Sequence, residues 1–330
     1  MKAVLCHEYG PPENLKVEDI PSPDMEPGHV RVETRAAGVN FQDTLIISGN
    51  YQFKPDMPFT PGSELAGVVT EVADDVKNIK VGDHVLVMRT HGGWTEEAVV
   101  PEDVVLRYPP EMDFVDAAAF LTNFGTSYHA LRDRGELKAG ETLLVLGASG
   151  GVGLAAVQIG KAFGARVIAA ASSDEKLQLC KEHGADELVN YSDGEYKDKV
   201  KELTGGKGAD VIYDAVGGDY FDQALRCINW KGRLLVVGFA AGRIPSAPAN
   251  LILLKGCAVV GVFYGRFKQE EPEASDALIE EMIGLYKKGK LSSHVTTTMP
   301  LEKVADALNL FINRKAKGKI VLTTSKYEGK

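Results

Sequence analysis

A glycine-rich turn between an apolar strand and an apolar helix most constrains the fold of this chain. The segment TLLVL (142–146) runs into GASGGVG (147–153), and an apolar helical pattern and a second apolar strand, RVIAAA (166–171), follow. This is the context of a dinucleotide-binding turn. In such a turn the backbone at Gly150 approaches a pyrophosphate, and Gly153 lets the helix pack on the strand. The first glycine of the usual G-x-G-x-x-G pattern is replaced by Ala148.

The same residues also match G-x-S-x-G, the nucleophile elbow of serine hydrolases, with Ser149 as the nucleophile. The segment His91-Gly92-Gly93 resembles an oxyanion-hole segment, and His294 is a candidate base. A hydrolase elbow normally follows several earlier strands of its sheet, whereas the parallel-strand pattern begins here with the strand of the turn. Dinucleotide binding is therefore favoured over a hydrolase site and over a turn without a ligand.

The residues at the end of the second strand indicate which dinucleotide binds. An NAD site usually places an acidic residue about 20 residues after the turn, to hold the ribose 2′-hydroxyl. Ser172 occupies that place, and Lys176 follows four residues later. A carboxylate would repel a 2′-phosphate, whereas serines and a lysine accept one. Asp174 and Glu175 are expected to serve a helix N-terminus. The sequence predicts NADPH.

The rest of the chain predicts an α/β protein of two domains. Eleven of the fifteen prolines lie at or before position 110, where short strands such as HVRVETRAAGV and DHVLVM alternate with turns. Beyond about position 120, apolar strands alternate with helices, which predicts a doubly wound parallel sheet covered on both faces. Two helices and the strand KIVLTT close the chain. The apolar stretch LILLKGCAVVGVFY (251–264) is expected to end the sheet as an edge strand, which predicts a homodimer.

Composition excludes several classes of protein. The formal net charge of −9 opposes binding to nucleic acid or to an anionic membrane. Four widely spaced cysteines and an N-terminus without an apolar signal segment are typical of a cytoplasmic protein. The uncharged stretch 142–160 is interrupted by five glycines, so no membrane span is expected.

At these motifs the chain resembles a known family. AAGVNFQDTLIISGNY, PFTPGSELAGVV, VGDHV, GTSYHAL, LGASGGVGLAAVQIGKAFGA, LVNYS, DAVGG, GRLLVVGF and GKIVL occur in this order. The chain resembles the medium-chain dehydrogenase/reductase superfamily and, within it, the zinc-free quinone oxidoreductases related to zeta-crystallin. The resemblance implies a GroES-like β-rich catalytic domain (1–120) completed by residues 265–330. It also implies a Rossmann NADPH-binding domain at 121–264.

The resemblance also implies the site residues. Those expected to bind the cofactor are Ser149, Gly150, Gly151, Val152, Ser172, Lys176, Tyr191, Phe239, Phe263 and Tyr264. Those expected to line the substrate cleft are Asn40, Asp43 and Tyr51. Loop or packing roles are the competing interpretation for Asn40, Asp43, Tyr51 and Tyr264. A tyrosine that is frequent in this segment of the family is replaced by Leu45.

No metal is expected. The alcohol-dehydrogenase branch of the superfamily has zinc ligands where this chain has Asn40 and Ser63, and only the neighbouring Glu64 is kept. Without a Lewis acid, the expected reaction is hydride transfer from NADPH to a quinone or an α,β-unsaturated carbonyl. Asn40 or a backbone N–H would donate a hydrogen bond to the acceptor oxygen. The alternatives are an enoyl-thioester reductase and a protein that binds NADPH without turnover.

Overall fold

The computed structural model describes residues 1–109 and 111–329, and they form two compact units. Unit 1 combines Met1–Thr122 with the chain from Ser293 onward, and unit 2 is Asn123–Ser292. The first boundary lies close to the expected one at 120. The second lies after residue 292 rather than 264, because the intervening helices pack on unit 2. In particular, the Tyr128 hydroxyl donates to Glu281 at 2.9 Å.

The elements are numbered in chain order. The strands are β1 (Lys2–Leu5), β2 (Lys16–Asp19), β3 (His29–Val39), β4 (Glu64–Val72), β5 (His84–Met88), β6 (Glu97–Pro101), β7 (Val105–Arg107), β8 (Thr142–Leu146), β9 (Arg166–Ala171), β10 (Glu187–Asn190), β11 (Ala209–Asp214), β12 (Ile228–Val236), β13 (Ala258–Gly261), β14 (Val295–Pro300) and β15 (Lys319–Thr323). The α-helices are α1 (Phe41–Ile47), α2 (Phe114–Ala118), α3 (Thr126–His129), α4 (Gly151–Ala162), α5 (Asp174–Glu182), α6 (Lys197–Leu203), α7 (Tyr220–Cys227), α8 (Ala249–Lys255), α9 (Tyr264–Glu270), α10 (Pro272–Lys287) and α11 (Val304–Ile312). None of the described helices is long and apolar enough to cross a membrane.

Unit 1 is built around a seven-stranded sheet. Its order is β14-β15-β3-β4-β5-β7, and β6 pairs with β3 off this path. Strand β3 alternates buried and half-buried residues over its first eight positions, as expected for a strand with one face in the core. Strand β15 pairs antiparallel with β3, with Ile320 opposite Val39. The C-terminal segment therefore lies inside the sheet of unit 1 and supplies part of its core.

Unit 2 contains a six-stranded parallel sheet in the order β10-β9-β8-β11-β12-β13. In β8 and β9 consecutive residues are buried, because α4, α5 and other helices cover the sheet. The α/β fold class, with a GroES-like β-rich unit 1 and a parallel Rossmann sheet in unit 2, is as predicted.

The sequence-based prediction for LILLKGCAVVGVFY was wrong in its first half. Residues 251–255 belong to helix α8, and only Ala258–Gly261 adds an edge strand, β13. Gly256 takes the left-handed conformation at φ 54°, and its N–H donates to the Leu253 carbonyl at 3.1 Å. This glycine ends the helix and separates it from the strand.

Gly153 sets how closely α4 packs on the turn after β8. A Cβ atom at this position would lie 2.2 Å from the Gly147 carbonyl oxygen and 2.8 Å from Ala148 Cα. Only a hydrogen fits there, which is the packing role that the sequence pattern predicted for this glycine.

We expect Gly153→Ala to destabilise the protein by about 1–3 kcal/mol. The added methyl group would clash with the backbone of Gly147 and Ala148, and backbone cannot move aside as a flexible side chain can. The matched control is Gly284→Ala in α10, where an added Cβ meets nothing within 4 Å. The control should be neutral or stabilising by up to about 1 kcal/mol. Urea unfolding followed by circular dichroism compares the two variants. Equal stabilities would contradict the packing argument.

Candidate active site

The predicted cofactor residues gather at one edge of the unit 2 sheet. The carboxyl ends of its parallel strands share that edge, and ligands of open α/β sheets bind there. The turn after β8 carries Ser149, Gly150, Gly151 and Val152, and the other predicted residues follow β9, β10, β12 and β13. The strand order reverses at β8, whose neighbours are β9 and β11. The glycine turn therefore stands at the topological switch point of the sheet.

The turn itself presents an uncapped helix N-terminus. Gly147 has φ 69°, and its carbonyl accepts from the Gly150 N–H at 3.1 Å. Gly150 is the N-cap of the twelve-residue helix α4, and no side chain of the described residues caps that helix. Its first N–H groups are therefore left for a ligand, and the helix dipole favours an anion there.

The space above Gly150 is open. A Cβ atom built there meets only the Gly147 carbonyl oxygen, at 3.5 Å. The backbone of Gly150 has φ −77°, which any residue can adopt. Neither packing nor backbone conformation requires glycine at this position, and the open space leaves room for a bound group. A pyrophosphate fits this cradle.

Ser172 and Lys176 lie together, as predicted. The Lys176 ammonium donates to the Ser172 hydroxyl at 3.3 Å, and Ser172 is exposed. Ser173 caps α5 by accepting from the Lys176 N–H at 3.3 Å. The Asp174 carboxylate accepts from the Asn190 side chain at 2.7 Å, so it is bound away from the serine pair. The Lys176 ammonium and the Ser172 hydroxyl thus lie together at the place where a 2′-phosphate would bind.

Tyr191 is more a core residue than an exposed ligand contact. It is buried among aromatic rings, with centroid distances of 4.8 Å to Tyr220 and 6.4 Å to Tyr196. Burial raises the pKa of its hydroxyl above the usual range, and Tyr220 adds to the rise. The backbone of Gly147 contacts that hydroxyl and opposes the rise in pKa. Tyr191 therefore supports the glycine turn from inside the core.

The three aromatic residues after β12 and β13 lie in different surroundings. Phe239 covers Gly217, where a Cβ would approach its ring to 2.9 Å. Phe263 is 51% exposed. Tyr264 is buried, and its ring lies against Gly125, where a Cβ would come within 2.4 Å. Of the three, Phe263 is open to a ligand, and Tyr264 has the packing role that was its competing interpretation.

Asp214 organises the loop after β11 and was not among the residues predicted for the site. Its carboxylate is buried and accepts from the Val216 and Gly217 N–H groups, both at 2.8 Å. Burial raises its pKa, and these two hydrogen bonds oppose the rise. The signal was present in the DAVGG motif, where an acidic residue ends an apolar strand just before two glycines.

Unit 1 holds a buried network around Asn40. The Asn40 side-chain oxygen accepts from the Lys319 ammonium at 2.6 Å. Its amide nitrogen donates to the Ser63 hydroxyl at 3.1 Å and to the Glu64 carboxylate at 3.0 Å. Lys319 also pairs directly with Glu64, and both side chains are 3% exposed. In the sequence, Lys319 is visible only as part of the GKIVL motif, and no pattern connects it with this site.

This arrangement bears on two expectations about chemistry, the hydrogen bond from Asn40 to an acceptor and the absence of a metal. Both N–H bonds of the Asn40 amide are used inside the protein, so neither is left for the oxygen of an acceptor. The donor set also does not fit zinc, because a metal at Asn40, Ser63 and Glu64 would face the ammonium of Lys319. Among the described residues, no group of three or more His, Cys, Asp or Glu side chains could hold a metal ion.

Asp43 and Tyr51 adjoin this network. The Asp43 carboxylate accepts from the Asn40 backbone N–H at 2.8 Å, and its other oxygen is buried without a hydrogen bond in the described structure. Burial raises the pKa of Asp43 to about 7, against the opposing effects of that hydrogen bond and of the Lys319 charge. Burial, and secondly the Asp43 charge, raise the pKa of the half-buried Tyr51. Asp43 is thus a helix-start residue whose charge is poorly solvated.

We expect the stability conferred by Asp43 to depend on pH. Folding raises the pKa of Asp43 from 3.8 to about 7. Its contribution to the free energy of unfolding is therefore fully present below about pH 4 and is lost as the pH rises to about 7. Asp43→Asn keeps an acceptor for the Asn40 N–H and removes the titration. From pH 5 to pH 8, the free energy of unfolding of the variant should therefore rise by on the order of 2 kcal/mol relative to that of wild type.

Urea unfolding at the two pH values measures this difference. Asp74→Asn is the matched control, since Asp74 is exposed and the change removes the same carboxylate. A free-energy difference between Asp43→Asn and wild type that is the same at both pH values would show that Asp43 does not titrate in this range.

The two units together define a class of protein. A β-rich unit completed by the C-terminal strand, with a parallel dinucleotide-binding unit between its two segments, is the architecture of the medium-chain dehydrogenases/reductases. Residues 26–110 match the family model "Alcohol dehydrogenase GroES-like domain", and residues 151–280 match "Zinc-binding dehydrogenase".

Individual relatives narrow the class. The chain is 41% identical over 327 residues to "Quinone oxidoreductase-like protein 2 homolog" of Nematostella vectensis, covering 98% of this chain and 89% of the relative. It is 36% identical over 326 residues to the human "Quinone oxidoreductase", covering 98% and 97%. The crystal structure of Escherichia coli quinone oxidoreductase complexed with NADPH superposes with a TM-score of 0.92 at 30% identity, covering 98% and 100%.

The chain therefore belongs to the quinone oxidoreductase family of the medium-chain dehydrogenase/reductase superfamily, and it is an oxidoreductase. The family resemblance expected from the sequence motifs is confirmed. This membership gives no support to the serine-hydrolase interpretation of Ser149. The match to "Zinc-binding dehydrogenase" covers residues 151–280, so Asn40, Ser63 and Glu64 lie outside it.

Proposed function

We propose that this protein is an NADPH-dependent reductase that transfers hydride to a quinone or an α,β-unsaturated carbonyl without a metal. The observation that carries the proposal is the uncapped N-terminus of α4 with open space at Gly150. The names of the human and Escherichia coli relatives supply the reaction class, and the NADPH in the bacterial structure supports the choice of dinucleotide.

The residues of unit 2 would bind the cofactor. NADPH supplies the hydride when bound, so the protein has to hold it, orient it and keep water away. The N–H groups at Gly151 and Val152 would donate to the pyrophosphate, and Gly150 would leave room for it. The Lys176 ammonium and the Ser172 hydroxyl would bind the 2′-phosphate. Phe263 offers an exposed ring beyond β13.

The residues of unit 1 would bind the acceptor. A quinone or an enone is already electrophilic, so no Lewis acid is needed to polarise it. The Lys319–Glu64–Asn40 network would fix the start of α1 and the segment before β4. A backbone N–H, rather than the Asn40 amide, remains as the donor to the acceptor oxygen.

We also propose a cytoplasmic homodimer formed through unit 2. Strand β13 lies at the edge of the parallel sheet and pairs with β12 alone in the described structure. Leu253 and Leu254 of α8 are 79% and 71% exposed. An unpaired strand edge beside exposed leucines favours pairing with a second copy. Four buried cysteines, all free thiols, are typical of a reducing compartment.

The central test is NADPH oxidation with a panel of quinones, enones and an enoyl thioester. We expect turnover with quinones or enones, and deuterium from labelled NADPH should appear on carbon in an enone product. An enone product without deuterium would contradict direct hydride transfer. Turnover with the thioester alone would favour an enoyl-thioester reductase, and cofactor binding without any turnover would favour a binding protein.

Variants of the turn connect the activity to the site. Gly150→Val should abolish NADPH binding, because its side chain would occupy the place of the pyrophosphate. Ser149→Ala in the same turn should keep most of the activity, since the backbone rather than the hydroxyl faces the phosphate. Isothermal titration measures NADPH binding by both variants, and the NADPH oxidation assay measures their activity. Normal NADPH binding by Gly150→Val would show that the glycine turn is not part of the cofactor site.

Lys176→Ala should weaken NADPH binding about tenfold or more and leave NADH binding nearly unchanged. The lost charge-assisted contact to the 2′-phosphate is worth about 1.5–3 kcal/mol. Lys181→Ala, an exposed change later in α5, is the control and should alter neither affinity. An equal loss of NADPH and NADH binding by Lys176→Ala would show that this lysine does not read the phosphate.

A further inference from the structure

A second group of side chains lies beside the Asn40 network in unit 1. The backbone of residues 89–93 runs along residues 60–63: the Arg89 N–H donates to the Ser63 carbonyl at 2.8 Å, and the Gly92 N–H to Thr60 at 2.7 Å. Ser63 in turn accepts from the Asn40 amide. The segment is therefore held in register with the residues assigned to the acceptor in the proposed function.

Aromatic rings surround this segment. The His91 ring lies 5.7 Å from the Phe53 ring at an interplanar angle of 34°, and it meets the Phe59 ring edge-on at 6.1 Å. Phe53 is 42% exposed, whereas Phe59 is buried. Burial lowers the pKa of His91, and the charge of Arg89 lowers it further, which favours the neutral imidazole. The accessible part of this cluster is an uncharged aromatic surface with Phe53 at its rim.

Arg89 supplies a cation at the same place. Its guanidinium is half-buried and makes no hydrogen bond or ion pair with any residue in the described parts of the chain. Burial lowers its pKa, and the charge of Glu26 opposes this shift without a contact within ion-pair distance. A partly desolvated cation without a partner favours binding of an anion. The planar guanidinium of an arginine can bind a carboxylate or a sulfonate through two parallel hydrogen bonds.

We propose that Arg89, His91 and Phe53 form an acceptor-binding site that selects flat aromatic acceptors carrying a negative charge. The rings of His91 and Phe53 would contact the conjugated ring system. The guanidinium of Arg89 would bind a carboxylate or sulfonate substituent of that ring. This proposal rests on the proposed function, because it names the class of acceptor that the same enzyme prefers.

The test compares a matched pair of acceptors, 1,4-naphthoquinone and 1,4-naphthoquinone-2-sulfonate. Arg89→Gln should lower kcat/KM about tenfold or more for the sulfonate, and less than about twofold for the neutral quinone. Lys54→Gln, which removes one exposed positive charge beside Phe53, should change neither ratio. Arg89→Lys should recover part of the preference, since it restores the charge without the fork. Equal losses for both quinones, or an equal effect of Lys54→Gln, would overturn the proposal.

Binding of naphthalene-2-sulfonate, which cannot accept hydride, separates this proposal from the proposed function. Calorimetric titration of the wild-type protein should show binding that Arg89→Gln weakens about tenfold and Lys54→Gln leaves unchanged. Failure of every acceptor to oxidise NADPH would count against the proposed function, while this titration would still report on the site. Equal affinity of wild type and Arg89→Gln for the sulfonate would refute the site itself.

Discussion

The buried ion pair between Lys319 and Glu64 is the interaction on which unit 1 depends. Each charge lies at the first residue of a strand, β15 or β4, and Asn40 at the start of α1 connects them. A buried charge is tolerated only when it is paired and hydrogen-bonded, and removing one partner typically costs about 3–5 kcal/mol. The Glu64 carboxylate uses its second oxygen to accept from the Thr122 N–H at 3.1 Å. The pair therefore holds several segments in place at once.

The same pair explains the chemical character of the site. It gives the Asn40 amide one orientation, with its oxygen toward the ammonium and its nitrogen toward Ser63 and Glu64. Backbone hydrogen bonds in turn hold residues 89–93 against Ser63 and the residues before it. The Lys319 ammonium thus lies against Asn40 and Glu64, two of the positions compared with zinc ligands in the sequence.

Local patterns were sufficient to predict much of the fold. The alternation in HVRVETRAAGV predicted β3, and the glycine turn between apolar elements predicted the β8–α4 connection with its close contact at Gly153. The apolar run LILLK was misassigned because a short apolar segment fits a strand and a helix equally well. The second unit boundary was missed because an amphipathic helix such as α10 does not show which unit covers its apolar face.

Contacts between candidate site residues were predictable where the partners are close in sequence. Ser172 and Lys176 are four residues apart, and spacing alone brought them together. Asn40 and Lys319 are 279 residues apart, so no local pattern could connect them. Tyr264 shows a different limit of sequence-based prediction. An aromatic residue can pack in a core or contact a ligand, and only its neighbours in the structure, here Gly125, distinguish the two roles.

The place of β15 in the sheet has a consequence for the order in which the chain can fold. Unit 2 is one continuous segment and has all its strands once residue 292 has been synthesised. In unit 1, residues 36–39 of β3 lack their partner strand until residues 319–323 are present. Until then this part of the β3 edge is exposed and the Glu64 charge has no lysine partner. During synthesis the middle of the chain can therefore reach its native structure before the beginning, which reverses the usual N-terminal-first order.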